Sequence, residues 1–142
     1  MATIKQEKIS NRVKVVRINL TESYEGTITF ETVTRKQFSA FFWGQEFVIN
    51  NTYQIVFSSL DYPLEWDVIF SENKDQRKII EPDSGDCSYM AYGQILTIKP
   101  LTVDFGDLVM ELFELTNDER VIGEFIYWKI ERLDVFEVKK IA

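Results

Sequence analysis

Glu25-Gly26-Thr27-Ile28-Thr29-Phe30-Glu31 alternates polar and apolar side chains with a period of two, and its β-branched content suits a pleated strand. That period places Ile28 and Phe30 on one face and Thr27, Thr29 and Glu31 on the other. Upstream, Val13, Val15, Val16, Ile18 and Leu20 form a second strand pattern, so residues 21–25 read as the turn of a β-hairpin. The same reading extends outward in both directions.

Phe38 to Trp43 is dense in aromatics and is read as a strand rather than a helical turn. Asn50-Asn51 supplies a turn before Tyr53, Ile55 and Phe57, and Asp61-Tyr62-Pro63 closes that strand. Trp66, Val68 and Phe70 continue the alternation and read as another strand. Residues 71–86 turn polar and form the longest surface excursion, with Ile79-Ile80 pinning its middle to the core. Tyr89-Met90-Ala91-Tyr92 is placed in or beside a loop, and Gln94 to Lys99 is a strand ended by Pro100.

Residues 107–115 fit a helix capped by Asp107 or a strand. The strand is preferred, hairpinned through Thr116-Asn117-Asp118-Glu119 to the apolar run Arg120 to Ile130. Within that run Val121 to Trp128 is apolar on both faces, as a central strand requires, with Gly123 marking a bulge and the pattern continuing through Leu133, Val135, Phe136 and Val138. About eight to ten strands with short polar turns imply an all-β fold, a single antiparallel β-barrel, OB-like in one version, or a β-sandwich. Residues 1–142 are expected to form one domain, with residues 1–11 a loose N-terminal arm.

The chain has no histidine in 142 residues, which removes Ser-His-Asp and Cys-His catalysis and every imidazole metal site. Hydrophobic residues make up 45% and aromatics 14%, enough to argue against intrinsic disorder. Cys87 is the only cysteine, so no internal disulfide forms. No apolar run approaches the ~20 residues of a membrane-spanning helix, and the opening residues lack a secretory pattern, so a cytoplasmic protein is expected. On that reading the Asn50-Asn51-Thr52 glycosylation sequon is coincidental.

The net charge of -7 is uneven: residues 1–50 carry seven Lys/Arg against five Asp/Glu, residues 51–142 nine against eighteen. An acidic C-terminal part disfavours polyanions and favours encounter with a basic partner.

Candidate chemistry is sparse. Asp104-Phe105-Gly106 copies the magnesium-binding tripeptide of kinases but stands without a phosphate loop or a His-Arg-Asp element, so it is read as chance. Asp83, Gly85 and Asp86 resemble a hard-cation turn only loosely and lack the regular spacing of an EF-hand. Cys87 has no neighbouring histidine to activate it. No metal, cofactor or catalytic residue is therefore expected, and the chain is read as a non-enzymatic protein-binding domain, an acidic inhibitor, immunity-type or scaffold protein for a basic partner. Tyr62, Tyr89 and Tyr92 are the aromatic anchors of that reading, and Asp83, Asp86, Asp118 and Glu119 the acids that steer the partner. The first alternative is an OB-like single-stranded nucleic-acid binder using Lys14, Arg17, Tyr24, Arg35 and Lys36. The second is a small-ligand or carbohydrate-acting β-barrel working through carboxylates, which predicts a cleft with converging acids.

Overall fold

Alternation becomes topology first in the N-terminal meander. In the computed structural model, which describes residues 8–61, 64–112 and 116–139, β1 (Asn11–Glu22), β2 (Glu25–Glu31) and β3 (Gln37–Trp43) run antiparallel in chain order. Ile28, Phe30, Phe38, Ala40 and Phe42 are buried, while Thr29 and Ser39 sit on the opposite face with their hydroxyls 3.1 Å apart. The period-two reading of residues 25–31 and the strand reading of residues 38–43 therefore hold.

β4 (Thr52–Asp61) pairs antiparallel with the start of β1, from Asn11↔Ile55 to Lys14↔Thr52. The last strand, β9 (Phe125–Lys139), pairs antiparallel with β4 from Gln54↔Lys139 to Asp61↔Ile130. A single parallel bridge, Phe41↔Asp134, then returns β9 to β3, so that β3-β2-β1-β4-β9 form a partial ring. Beyond the bridge, Ser39 N–H donates to the Tyr89 hydroxyl at 2.7 Å and that hydroxyl donates to the Ser39 carbonyl at 3.3 Å. A side chain thus satisfies main-chain groups that a strand would otherwise pair. Within the ring Phe30 stacks on Phe57 with centroids 4.7 Å apart, and Phe38 meets Tyr89 edge-on at 5.4 Å.

The insertion between β4 and β9 extends the sheet outward. β5 (Ile79–Pro82) and β7 (Leu101–Asp104) both pair with β6 (Tyr89–Ile98), and β8 (Val109–Leu112) pairs with β7. Among the described residues the result is one nine-stranded sheet, antiparallel but for the β3–β9 bridge, in the order β3-β2-β1-β4-β9-β6-β7-β8 with β5 beside β6. β9 is its spine: the half from Phe125 to Ile130 pairs with β6 and the half from Ile130 to Lys139 with β4. Ile95, Leu101, Val103, Phe105, Leu108 and Met110 fill the core beneath the extension.

Several expectations are corrected. Trp66, Val68 and Phe70 belong to a one-turn helix, α1 (Trp66–Ser71), in which Ile69 N–H donates to Glu65 C=O at 3.1 Å. Trp66 and Phe70 meet there as an i,i+4 pair with ring centroids 4.6 Å apart, and Ile69 is buried. Residues 109–112 are a strand as expected, but β8 hairpins back onto β7 instead of forward onto the run after residue 119. The preferred turn is local: Phe105 N–H donates to Leu108 C=O at 2.9 Å and Gly106 N–H to Asp104 Oδ1 at 2.8 Å, which is the structural use of Asp104-Phe105-Gly106. Residues 113–115 lie outside the described residues.

Glu119–Val121 form a 3-10 turn capped by Asp118, so the central strand begins at Phe125 and Gly123 lies in the preceding turn rather than in a strand bulge. Tyr89 to Tyr92 are strand, not loop. The surface excursion of residues 71–86 is pinned as expected, with Ile80 only 3% exposed. Of the predicted arm, residues 1–7 lie outside the described residues, and Asn11 is tied down. Its amide donates to Val109 C=O at 2.9 Å and accepts from Val109 N–H at 2.8 Å, mimicking a strand neighbour for β8. No helix among the described residues is long and apolar enough to cross a membrane.

Candidate functional site

Several exposed large apolar side chains gather where the meander ends. β1 and β2 are joined through Ser23 and Tyr24, and Tyr24 takes a left-handed φ of 62°. Its carbonyl accepts from Gly44 N–H at 2.7 Å, which ties this turn to the segment leaving β3. The register Leu20↔Gly26, Gly26↔Phe42 and Glu25↔Trp43 brings the ends of three strands together. There Leu20 is 64%, Tyr24 56% and Trp43 71% exposed.

On the inner side of this end opens a recess of about 330 Å³ walled by Ile18, Leu20, Phe42 and Phe47, with Tyr24 at its lip, while Trp43, next to Phe42 in the strand, lies on the opposite face. Its Phe47 wall is packed from behind: Phe47 meets both Phe42 and Tyr53 edge-on at 5.1 Å, and Val48 N–H donates to the Tyr53 hydroxyl at 2.8 Å. We refer to this end as the mouth. Gln45 and Glu46 form its polar side. Gln45 is itself held, since its Oε1 accepts from Trp43 N–H at 3.1 Å.

The electrostatics of the mouth oppose those of the N-terminal half as a whole. Residues 18–26 and 41–51 contain Glu22, Glu25 and Glu46 and no lysine or arginine of their own, while the Arg132 guanidinium, which β9 lays 4.4 Å over the Phe41 ring, is paired with Asp134 at 2.6 Å. Glu22 and Glu25 face each other directly across the hairpin. Like charges so placed repel. A second recess of about 340 Å³, between β4, β9 and β8, differs in that its charges are already matched: Lys8 pairs with Glu111 at 2.7 Å and lies over the Phe136 ring at 5.0 Å.

The residues nominated as a protein-binding surface are dispersed. Tyr62 lies outside the described residues. Tyr89 is 5% exposed and serves the ring closure, so it offers no exposed anchor. Tyr92 is half-buried beside Tyr127, centroids 5.2 Å apart, with the Arg77 guanidinium 4.2 Å above its ring. Asp83 and Asp86 occupy the β5–β6 loop, where Asp83 accepts from Ser84 N–H at 2.8 Å and lies 3.9 Å from Lys129 Nζ. Asp118 and Glu119 sit beyond the other end of the β6–β9 pairing, about five strand residues or roughly 17 Å further along. Hydrogen bonds from Arg120 hold the Asp118 carboxyl at a pKa of about 2, so its charge is already answered within the chain.

The nominated nucleic-acid residues are also divided. Lys14 and Arg17 lie exposed on β1, and Arg17 Nη2 donates to the Thr29 hydroxyl at 3.4 Å. Tyr24 and Arg35 stand at opposite ends of the seven-residue β2, about 20 Å apart. Lys36 is committed to Asp107 at 3.3 Å, which Thr34 also binds at 2.7 Å. Leu20, Trp43 and the glutamate trio formed no site in the sequence reading. The available signal was their position, large apolar residues at strand ends beside a turn with acids and no bases.

Burial, with added repulsion from Asp86, raises the Cys87 thiol to about 11, which keeps it protonated at neutral pH. Two results are expected. Native protein reacts slowly with iodoacetamide until the pH nears about 11, whereas unfolded chain reacts at an ordinary thiol rate. Stability also falls between about pH 9 and 11, because the unfolded thiol releases its proton there while the folded thiol retains it. Rapid alkylation of native protein at pH 8 would contradict both. Among the described residues no group of three acid or thiol side chains is placed to hold a metal ion.

No protein-family model matches the chain, and comparison with curated proteins and with solved structures returns no match.

Proposed function

We propose that the chain is a non-enzymatic protein-binding domain, an OB-like barrel extended by the β5–β8 insertion, and that its partner docks on the mouth. The observation that carries this reading is the exposure of Leu20, Tyr24 and Trp43 at one register-linked end of the β1–β3 meander, where Leu20 and Tyr24 line a recess with apolar walls and Trp43 stands on the adjoining outer face. Tryptophan and tyrosine dominate interface hot spots, and exposed apolar groups rimmed by polar ones mark contact surfaces. The steering acids are then Glu22, Glu25 and Glu46, in place of the dispersed aspartates. A domain of this kind acts by occupying its partner's surface, as an inhibitor or scaffold does.

A second reading has one favourable feature. The outer face of β1–β3 carries Arg17, Trp43 and half-buried Phe41, over whose ring the Arg132 guanidinium lies at 4.4 Å, an arrangement suited to base stacking. The net charge of -7 opposes it.

Co-purification from nuclease-treated native lysate separates the two. The comparison uses the wild type, a Leu20→Ala/Tyr24→Ala/Trp43→Ala mouth variant, a Lys14→Glu/Arg17→Glu variant and an Asp83→Lys/Asp86→Lys variant. A protein retained by all but the mouth variant is the expected result. Loss confined to Lys14→Glu/Arg17→Glu, together with dependence on intact nucleic acid, would replace this reading with the second. Loss confined to Asp83→Lys/Asp86→Lys would move the surface to the β5–β6 loop.

A further inference from the structure

We infer that the mouth accepts a basic protein segment in which a large apolar side chain is flanked by lysine or arginine. This rests on the mouth being the docking surface and adds the chemistry of its occupant. The recess, at about 330 Å³, lies at the lower end of the roughly 300–1,000 Å³ typical of ligand pockets, a size for one or two side chains. One side is aliphatic and aromatic, the other is Gln45 and Glu46, and Phe47 is held by ring contacts, so an apolar anchor with a polar flank enters a preformed site.

The sign of the occupant follows from the rim. Glu46 borders the recess, while Glu22 and Glu25 are opposed across the hairpin that forms its lip. None of the three makes an ion pair among the described residues, although basic side chains at Lys8, Lys36, Lys78 and Arg120 are paired elsewhere on the surface. A cationic group placed between Glu22 and Glu25 relieves their mutual repulsion and gains attraction to both. An acidic segment meets Glu46 at the recess and the opposed Glu22 and Glu25 beside it, none of them paired with a described lysine or arginine. A nucleic acid would bring its phosphates to the same rim, which makes it the wrong occupant for this end of the molecule.

The test uses three blocked synthetic peptides of equal length: leucine between lysines, leucine between glutamates, and alanine between lysines. Each is titrated into the full chain while the amide resonances of Leu20, Tyr24, Gly26 and Gly44 are followed by NMR. The lysine-leucine peptide is expected to shift these resonances and to bind at least about tenfold more tightly than either of the others. Its binding weakens at high salt, and Glu22→Lys/Glu25→Lys/Glu46→Lys reverses the preference toward the glutamate-leucine peptide. Equal binding of the two leucine peptides at the mouth would overturn the basic occupant and leave the docking surface standing. Equal binding of the leucine and alanine peptides would overturn the apolar anchor. If none of the three shifts the mouth resonances the inference fails, while the mouth variant's co-purification judges the broader reading separately.

Discussion

Replacing Asn73 by alanine is expected to destabilise the protein by about 2–4 kcal/mol, read as a lowered urea midpoint at unchanged slope. Asn73 is 7% exposed, and its amide works in both directions. Nδ2 donates to the carbonyls of Arg77 at 2.9 Å, Ile126 at 3.1 Å and, at a longer 3.4 Å, Gly93. Oδ1 accepts from Arg77 N–H at 2.8 Å. One side chain therefore joins the start of β9, the middle of β6 and the loop between α1 and β5. Alanine leaves these main-chain groups without that partner in a place water reaches poorly, and the cost is the desolvation of what remains. Asn73→Asp sharpens the test. It keeps the shape and the bond from Arg77 N–H but turns an acceptor toward three carbonyl oxygens, so it should cost at least as much as alanine near neutral pH. The aspartate variant should recover part of that loss as the pH falls and its carboxyl gains a proton able to donate. An effect within about 0.5 kcal/mol for Asn73→Ala would mean the loop holds its place without this side chain.

Asn73 also shows where sequence reading ends. A polar residue in the polar stretch 71–86 carries no mark of burial, because its partners come from β6 and β9, 20 and 53 residues away. Alternation was legible wherever one face of a strand is buried and the other is wet, as in β2 and β3, whose burial patterns repeat every second residue. It misled at residues 66–70, where apolar side chains two apart also fall four apart, and the adjacent apolar Ile69 suits a helix facing the core. At residues 116–119 the polar turn residues do leave the strand, but the turn itself is the 3-10 turn of Glu119–Val121 capped by Asp118, and it joins no hairpin among the described residues. β8 takes β7 across a four-residue connection, the partner with the smaller loop to close.

The candidate site was less legible than the fold for a related reason. Charge summed over residues 1–50 is +2 and suggests a basic half. The hairpin register sorts those charges by place, bringing Glu22 against Glu25 and setting Trp43 beside them, while Lys14 and Arg17 remain further back on β1. Tyr89 was nominated for its residue type, but its hydroxyl is consumed by Ser39. Tyrosine serves equally as an anchor at an interface and as a satisfied core residue, and only the partners of its hydroxyl separate the two roles.

Gly26→Ala should have the other large effect, a loss of at least about 3 kcal/mol, accompanied by altered exposure of Trp43. A Cβ at residue 26 would lie 2.0 Å from the Asn19 carbonyl oxygen and 2.9 Å from Leu20 Cα. These are backbone atoms in the neighbouring strand, so the clash cannot be removed by a change of rotamer. The register between β1 and β2 shifts between Leu20 and Glu22, an irregularity that turns β1 across Gly26 where the hairpin closes. Accommodating the methyl group means lifting β1 from β2 at the position where Leu20 walls the recess. Gly44→Ala is the control. It lies at the same end with φ +82°, but nothing is within 4 Å of its would-be Cβ. Its cost is conformational alone, about 1–2 kcal/mol. Chemical denaturation of both variants measures the difference, and quenching of tryptophan fluorescence by acrylamide reports whether the mouth has opened. If Gly26→Ala costs no more than Gly44→Ala, β1 and β2 are not in such close contact at this point. If it is the costlier change and the lysine-leucine peptide also binds more weakly, then the close approach at Gly26 is what shapes the recess.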